Sequence, residues 1–300
     1  MPVKQHIPKA LRYTHRDFDR EFPNDDACLD YLMNQRWPGG VTFCEKCQQE
    51  RKHYRIKKRT AYGCDHCGTQ IYPLAGTVME KTTTPLKTWF YAIFLMGSTR
   101  CGISAKQIQR ECGVTYKTAW RMFKQIRTLL SEGDLQLEGP TVEMDETYMG
   151  GVQKYGKGRP PGYDGKKTPV VAIVQRRGKV VARAITAIDG YHLTKLIKKH
   201  VIPGSTIYTD ELGAYNSVRY LRNEEGVPLQ YRHRRIKHAG GVYVKGDIHT
   251  NTVEGLWSLI KNGIRCVYHQ VSPEYLQSYL DEYTFRYNRR HDGTNNSGLF

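Results

Sequence analysis

Two Cys-x-x-Cys pairs constrain the fold of this chain more than any other feature of its sequence. Cys44 and Cys47 are separated from Cys64 and Cys67 by sixteen residues, which is the spacing of a structural zinc ribbon. Four thiolates complete the tetrahedral coordination of one ion, so we expect this site to hold the fold and to perform no chemistry. A redox dithiol is the rival interpretation, and two pairs at this spacing disfavour it.

The charge of the chain indicates an anionic partner. Its 300 residues include 46 Lys and Arg against 29 Asp and Glu, a formal net charge of +17. Such an excess destabilises a compact state unless something anionic offsets it, and nucleic acid is the leading candidate. A membrane is disfavoured because the longest apolar run, Trp89 to Met96, is too short to span one. The N-terminal residues lack a signal-peptide pattern, so we expect a cytoplasmic protein.

The composition divides the chain into four regions. Residues 1–40 form an N-terminal helical segment with one predicted helix from Asp25 to Gln35. Residues 41–78 carry the cysteine pairs, and residues 83–131 have helical patterns and capping residues. Residues 139–300 alternate β-branched runs with Gly-rich turns and end in helical patterns, which predicts an α/β fold for this last region.

Residues 83–131 have the pattern of a helix-turn-helix. The first predicted helix follows Thr84-Pro85, and the second follows Ser104 in a capping-box pattern. Gly113 lies in the turn before a third helix, Tyr116 to Leu129, which is the predicted recognition helix. Four cations lie off its apolar stripe: Lys117, Arg121, Lys124 and Arg127. A plain helical bundle has the same caps and stripe, and the adjacent ribbon favours DNA binding.

Two basic segments are candidates for phosphate contact. Between the cysteine pairs, residues 51–59 contain six Lys or Arg and no acid. After Asp145, a Gly-rich segment carries Lys154, Lys157, Arg159, Lys166 and Lys167, which we expect to form a loop over the DNA backbone. A solvated strand pair and a solvated hairpin are the respective alternatives.

Acidic residues mark the ends of two predicted strands and the start of a helix. Asp145 lies at the end of the run that begins at Thr141, and Asp210 ends the run that begins at Ser205. Glu254 begins a predicted helix on which Lys261 shares its face. Such a cluster of oxygen ligands suits Mg²⁺ or Mn²⁺ rather than zinc. Two such ions about 4 Å apart support phosphodiester chemistry.

Strand alternation separates the neighbouring acids into two groups. Glu146 and Glu211 are expected to turn to the opposite face from Asp145 and Asp210. Glu143 shares the side of Asp145, and it remains a weaker rival for a ligand position.

These motifs resemble the ISXO-like insertion-sequence transposases. The resemblance is carried by Met144–Gly151, Tyr208–Asp210, His249–Lys261, Tyr268–Ser272 and Tyr279–Arg290. It covers nearly the whole chain, because that group also has an N-terminal zinc ribbon. It implies a ribonuclease H-like catalytic domain and DDE-type, metal-dependent cutting and joining of DNA at an element's ends. It also implies association with a bacterial nucleoid.

Carried over residue by residue, the resemblance places Asp145 and Asp210 at the first two acidic positions. Glu254 is our first choice for the third, because Lys261 follows it by seven residues, and Asn251 is the second. His249 either positions its loop, contacts DNA or is structural.

The implied mechanism needs no covalent protein intermediate. Water attacks first and frees a 3′-OH at the element end, and that 3′-OH then attacks target DNA. The implied cofactors are Mg²⁺ or Mn²⁺ and one structural Zn²⁺. The implied partner is double-stranded DNA, both terminal inverted repeats and target, bound by a homodimer or higher oligomer.

Two other functions fit parts of the sequence. The first is a DNA-binding regulator with an inactive catalytic fold, which the intact Asp145, Asp210 and Glu254 disfavour. The second is a ribonuclease or junction nuclease on the same fold, which does not need a zinc ribbon or a recognition helix.

Overall fold

The computed structural model describes residues 13–99, 101–150, 167–236 and 250–290. The described residues divide into two compact units, the first up to Ile126 and the second from Arg127 to Arg290. In the described part of the chain, no helix combines the length and the apolar character that crossing a membrane requires.

The first unit begins with two capped helices and a small antiparallel sheet. Thr14 and Asp17 form a capping box at the start of α1, and the Asn24 side chain caps α2. The sheet has the strand order β1-β2-β3-β4. The elements are α1 (His15–Glu21), α2 (Asp25–Arg36), β1 (Val41–Cys44), β2 (Gln49–Arg55), β3 (Tyr62–Cys64) and β4 (Gln70–Ile71).

Three helices follow: α3 (Leu86–Ser98), α4 (Ala105–Cys112) and α5 (Tyr116–Thr128). The Ser104 side chain accepts a hydrogen bond from the backbone N–H of Gln107 at 3.2 Å, so the predicted cap of α4 forms. Gly113 ends α4 in the left-handed region, with φ 63°, a conformation that glycine adopts without a steric penalty. The turn between α4 and α5 therefore lies where the sequence predicted it.

The second unit is built on a five-stranded mixed sheet of order β7-β6-β5-β8-β9. β5, β6 and β7 pair antiparallel, and β8 and β9 run parallel to β5. This is a ribonuclease H-like fold, and the predicted fold class is confirmed. Its elements are β5 (Thr141–Met149), β6 (Thr168–Gln175), β7 (Val180–Ala184), α6 (Gly190–His200), β8 (Thr206–Thr209), β9 (Arg232–Arg235), α7 (Asn251–Gly263) and α8 (Pro273–Asn288).

Alternation along the strands gives the sheet two different faces. One face carries Val142, Met144 and Ile207, which are fully buried in a core with Leu193 and Ile197 of α6. Because paired residues on neighbouring strands share a face, the other face carries Glu143 and Asp145. On that face α7 packs against β5 and β6, and α8 packs against β7.

Side-chain amides of α8 cover the edge strand β7. Asn288 accepts a hydrogen bond from the backbone N–H of Val180 at 2.7 Å and donates one to its carbonyl at 3.0 Å. Gln277 accepts from the N–H of Ala184 at 2.8 Å and donates to the carbonyl of Ala182 at 3.1 Å. These two side chains take the place of a further strand along β7.

The sequence placed Arg127 off the apolar stripe of the recognition helix, as a candidate DNA contact, but its side chain is buried. Its side chain is 1% exposed, and its Nε donates a 2.7 Å hydrogen bond to Glu282, which is fully buried. The guanidinium also stacks on Tyr279, 3.4 Å from the ring centroid. The prediction was wrong because the cation is matched by a buried carboxylate from α8, which the pattern of α5 alone does not reveal.

Candidate functional site

Asp145 and Asp210 lie where β8 ends beside β5 in the second unit. The sequence predicted that the first strand ends in acid at Asp145, and this was wrong, because β5 continues to Met149 in pairing with β6. Glu143 is the last residue of β5 that pairs with β8, opposite Tyr208, and β8 ends at Thr209. Asp210 is the first residue after β8, and Asp145 lies on β5 two residues beyond Glu143. The carboxylates of Asp145, Asp210 and Glu146 each offer an oxygen, and these three atoms lie within 4.8 Å of one another.

Glu146 belongs to this cluster, contrary to the expectation from alternation. Its Cβ does turn to the other face, where the hydroxyl of buried Tyr215 donates a 2.6 Å hydrogen bond to Oε2. However, within the described residues β8 pairs with β5 no further than Glu143. Beyond that point the carboxylate of Glu146 lies within 4.8 Å of those of Asp145 and Asp210. Strand ends cannot be placed to one residue from the sequence, so this approach was missed.

The three acids are crowded and partly removed from water. Burial raises the pKa of Glu146 and the hydrogen bond from Tyr215 lowers it, and together with the charges of Asp210 and Asp145 these effects bring that pKa to about 7. Burial also raises the pKa of Asp145, against a hydrogen bond of 2.8 Å from the Trp257 indole N–H that lowers it. Burial and mutual repulsion destabilise the negative charges of these carboxylates, so binding of a cation between them is favoured.

The donor set fits a divalent cation. Carboxylate oxygens are the ligands that Mg²⁺ and Mn²⁺ prefer. An octahedral Mg²⁺ with bonds of about 2.1 Å places its ligand atoms up to roughly 4.2 Å apart, close to the 4.8 Å limit that encloses the three oxygens.

Helix α7 begins earlier than predicted because Glu143 caps it. Glu143 is fully buried, and its Oε2 accepts the backbone N–H groups of Thr252 at 2.9 Å and Val253 at 3.2 Å. Its Oε1 accepts from the Thr252 hydroxyl and from Nε of Arg176, each at 2.8 Å. The helix therefore starts at Asn251 rather than at Glu254, and Glu143 fixes its first turn.

The remaining predicted site residues lie on α7. Glu254 is exposed in the first turn, and its charge raises the pKa of Asp145, but its carboxylate is outside the group of three within the described residues. Asn251 is exposed, and Lys261 is partly buried. Within the described residues, no hydrogen bond or ion pair joins Asn251 or Lys261 to the cluster. His249 lies outside the described residues.

The four cysteines of the first unit converge. Their sulfur atoms lie within 4.8 Å of one another, with Sγ of Cys44 3.4 Å from Cys67 and Sγ of Cys47 3.9 Å from Cys64. Four thiolates about 2.3 Å from one Zn²⁺ lie about 3.8 Å apart, so the arrangement fits that ion. Turns after β1 and β3 bring both pairs to the same end of the ribbon.

The basic segment of the ribbon is partly neutralised. Arg51 pairs with Asp65 at 2.8 Å, and Arg55 pairs with Asp26 at 2.7 Å. The other four cations are exposed: Lys52, Lys57, Lys58 and Arg59. Of the second basic segment, Lys167 is exposed, and Lys154, Lys157, Arg159 and Lys166 lie outside the described residues.

The second unit matches a known family. The sequence profile of the ISXO2-like transposase domain matches residues 136–288, which is half of the chain. The chain belongs to the ISXO2-like transposase family. The family resemblance of its motifs is therefore confirmed. A transposase zinc-ribbon domain matches residues 23–70, so the family's N-terminal ribbon is present as well.

Individual proteins are also similar to this transposase. An uncharacterized protein of the transposable element ISH50 from Halobacterium salinarum is 28% identical over 290 residues, covering 89% of this chain and 92% of that protein. A pre-cleavage Mos1 transpososome is 12% identical, with a TM-score of 0.28 over 65% of this chain and 73% of that chain. The Mos1 strand transfer complex is 10% identical, with a TM-score of 0.25 over 69% and 78%. Scores this low assign no fold.

Proposed function

We propose that this transposase binds the ends of a bacterial insertion sequence and catalyses metal-dependent DNA strand cleavage and strand transfer. The observation that carries the proposal is the carboxylate cluster of Asp145, Asp210 and Glu146, where β8 ends beside β5. The matched family domain, residues 136–288, includes all three of these acids. Hydrolysis and transesterification of phosphodiesters need such a site, whereas DNA binding alone does not.

Different residues of the chain have different roles at the catalytic site. Asp145 and Asp210, with Glu146 beside them, would hold divalent cations, and Glu254 or Asn251 would supply a further contact from α7. Such cations, when bound, activate the attacking oxygen and stabilise the leaving oxygen. The Trp257 indole fixes one oxygen of Asp145, which limits the rotation of that carboxylate. Lys261 contacts a phosphate of the DNA.

Recognition of the DNA falls to the first unit. The exposed cations Lys117, Arg121 and Lys124 lie at helical spacings of four and three, so they share one face of α5. We propose that this face enters the major groove and that the ribbon cations bind phosphates. Two element ends must meet during transposition, so we propose a homodimer or higher oligomer on DNA.

Cleavage of a duplex that carries the element's own terminal inverted repeat tests the proposal. The full chain is expected to cut it with Mg²⁺. Asp210→Asn is expected to lose activity by orders of magnitude and to bind the duplex at least as well. Asp134→Asn is the matched control, because the Asp134 side chain is 98% exposed. Binding without cleavage in Mg²⁺ or Mn²⁺ would identify a regulator, and near-parent cleavage by Asp210→Asn would refute the assigned site.

A further inference from the structure

The edge strand β9 presents two arginines on the face of the sheet that carries Asp145. Arg232 pairs with Thr206 and Arg234 with Tyr208 on β8, and Tyr208 in turn pairs with Glu143 on β5. Paired residues share a face, so both arginines lie on the side of Glu143 and Asp145. We propose that Arg232 and Arg234 bind the phosphate backbone of the DNA strand that enters the acid cluster. This inference rests on the proposed function and names a contact surface for its substrate.

The alternate residues of β9 have different surroundings. His233 hydrogen-bonds the Thr209 hydroxyl at 2.9 Å, and Arg235 hydrogen-bonds the side chain of Asn216. Both side chains are partly buried. Arg232 and Arg234 are exposed, and no hydrogen bond or ion pair to another side chain of the described residues holds them. Two like charges on one face are unfavourable without an anion nearby, and a phosphate supplies one.

The position of the two arginines suits a strand running into the site. Arg234, Tyr208 and Glu143 are lateral neighbours on three successive strands, so Arg234 lies about 10 Å to the side of Glu143. Asp145 lies two residues beyond Glu143 on the same face. A phosphate held by Arg234 is therefore within a few nucleotides of a scissile phosphate at Asp145 and Asp210.

The chemistry of the side chains also points to phosphate. Residues two apart on a strand are about 6.6 Å apart, a spacing comparable to that of successive phosphates along one DNA strand. The guanidinium group is a planar fork that binds phosphate oxygens through two parallel hydrogen bonds. Arg176 lies next to this surface, since its guanidinium stacks on the Tyr208 ring, 4.5 Å from the ring centroid, while its charge is paired with Glu143.

Edge protection is the rival explanation for charges on β9. Natural sheets place charged side chains on exposed edges to prevent pairing with other chains. The two explanations differ in what substitution does. Loss of edge protection changes self-association and leaves DNA contacts intact, whereas loss of phosphate contacts changes the salt dependence of DNA binding.

The test compares two double variants of the full chain on a random-sequence DNA duplex, with Ca²⁺ in place of Mg²⁺. Arg232→Gln/Arg234→Gln removes the two arginines of β9. Lys195→Gln/Lys198→Gln removes two exposed cations of α6, on the opposite face of the sheet. The slope of log affinity against log salt is negative, and its magnitude is expected to fall by about 1.8 in the arginine variant, about 0.9 per phosphate contact. We expect the lysine variant to keep the parent slope, and Arg232→Lys/Arg234→Lys to restore most of it.

Each outcome decides the inference separately from the proposed function. A reduced slope in the arginine variant supports the inference even if the parent cleaves no DNA, in which case only the proposed catalysis fails. An unchanged slope in that variant overturns the inference even if the parent cleaves normally. A change in self-association with an unchanged slope assigns the arginines to edge protection. Absence of DNA binding by the parent overturns both.

Discussion

Oε2 of Glu143 accepts the backbone N–H of Thr252 at 2.9 Å, so the strand that carries Asp145 also anchors the helix that carries Glu254. Two residues further along the same strand, Asp145 accepts a hydrogen bond from the indole N–H of Trp257, which lies on the same helix. The buried carboxylate of Glu143 thus has a supporting role, whereas the sequence left it as a rival ligand.

Glu143→Gln is expected to lower both stability and cleavage. The variant removes the ion pair between Glu143 and Arg176 and turns an amide donor toward the N–H groups of α7. We expect the free energy of unfolding to fall by about 2–4 kcal/mol, measured by urea denaturation. The exposed Glu138→Gln control should stay within about 0.5 kcal/mol of the parent. Equal stability of the two variants would contradict the anchoring role.

Glu146→Gln is expected to weaken the response to metal. Removing one carboxylate from the group of three should raise the Mg²⁺ concentration for half-maximal cleavage by about tenfold or more. Tyr215→Phe should produce a smaller shift in the same direction, because it removes only the hydrogen bond that orients Glu146. Titration of cleavage with Mg²⁺ measures both. Glu211 is exposed, so Glu211→Gln serves as the control, and a shift of equal size there would refute the role of Glu146.

The third ligand on α7 is decided by comparing two single variants. If Glu254 is the ligand, Glu254→Gln loses cleavage to a similar degree as Asp145→Asn, while DNA binding and thermal stability hardly change. Asn251→Ala is then milder, because it acts only through the start of α7. If Asn251 is the ligand, the order reverses. Mg²⁺-dependent cleavage of an end-containing duplex gives the answer, and near-parent activity of Glu254→Gln would falsify our first choice.

The cysteine cluster is expected to bind about one zinc per chain. Cys64→Ser should lose the metal together with the folding of residues 41–75, because ribbon folding and metal binding are coupled. Elemental analysis and circular dichroism of the purified chain measure the two effects. Cys101 is exposed and outside the cluster, so Cys101→Ser should retain the metal. Folded protein without zinc would contradict the assignment.

Arg127→Met is expected to destabilise the second unit. The substitution keeps an unbranched side chain but removes the guanidinium, and it leaves the buried carboxylate of Glu282 with its salt bridge to Arg286. We expect a loss of about 3 kcal/mol in the free energy of unfolding. Lys117→Met on the exposed face of the same helix is the control and should cost less than about 0.5 kcal/mol. A thermal melt that ranks the two variants the other way would return Arg127 to the DNA-facing surface.

The sequence predicted the elements that depend on local signals. The cap at Ser104, the glycine turn at Gly113 and the strand run that ends before Asp210 follow from residue types within a few positions of each other. Such signals act over one turn of helix or one strand, so they can be recognised in the sequence without knowledge of the tertiary structure.

The misplaced residues depend on contacts between distant parts of the chain. Arg127 is matched by Glu282, 155 residues away, and no pattern in α5 distinguishes it from the exposed Lys124. Glu143 is defined by the N-terminus of α7, more than 100 residues later. Glu146 joins the cluster because β8 ends beside it, and the position of a strand end depends on pairing rather than on propensity.

The amide side chains that cover β7 have a consequence for how copies of this protein associate. Gln277 and Asn288 already satisfy backbone groups of that strand, so a second chain cannot extend the sheet there without displacing them. The other edge, β9, presents like charges that repel an identical strand. Any joining of two copies is therefore expected to use helices or loops, and a chain that loses both amides exposes β7 to pairing with the same strand of a second copy.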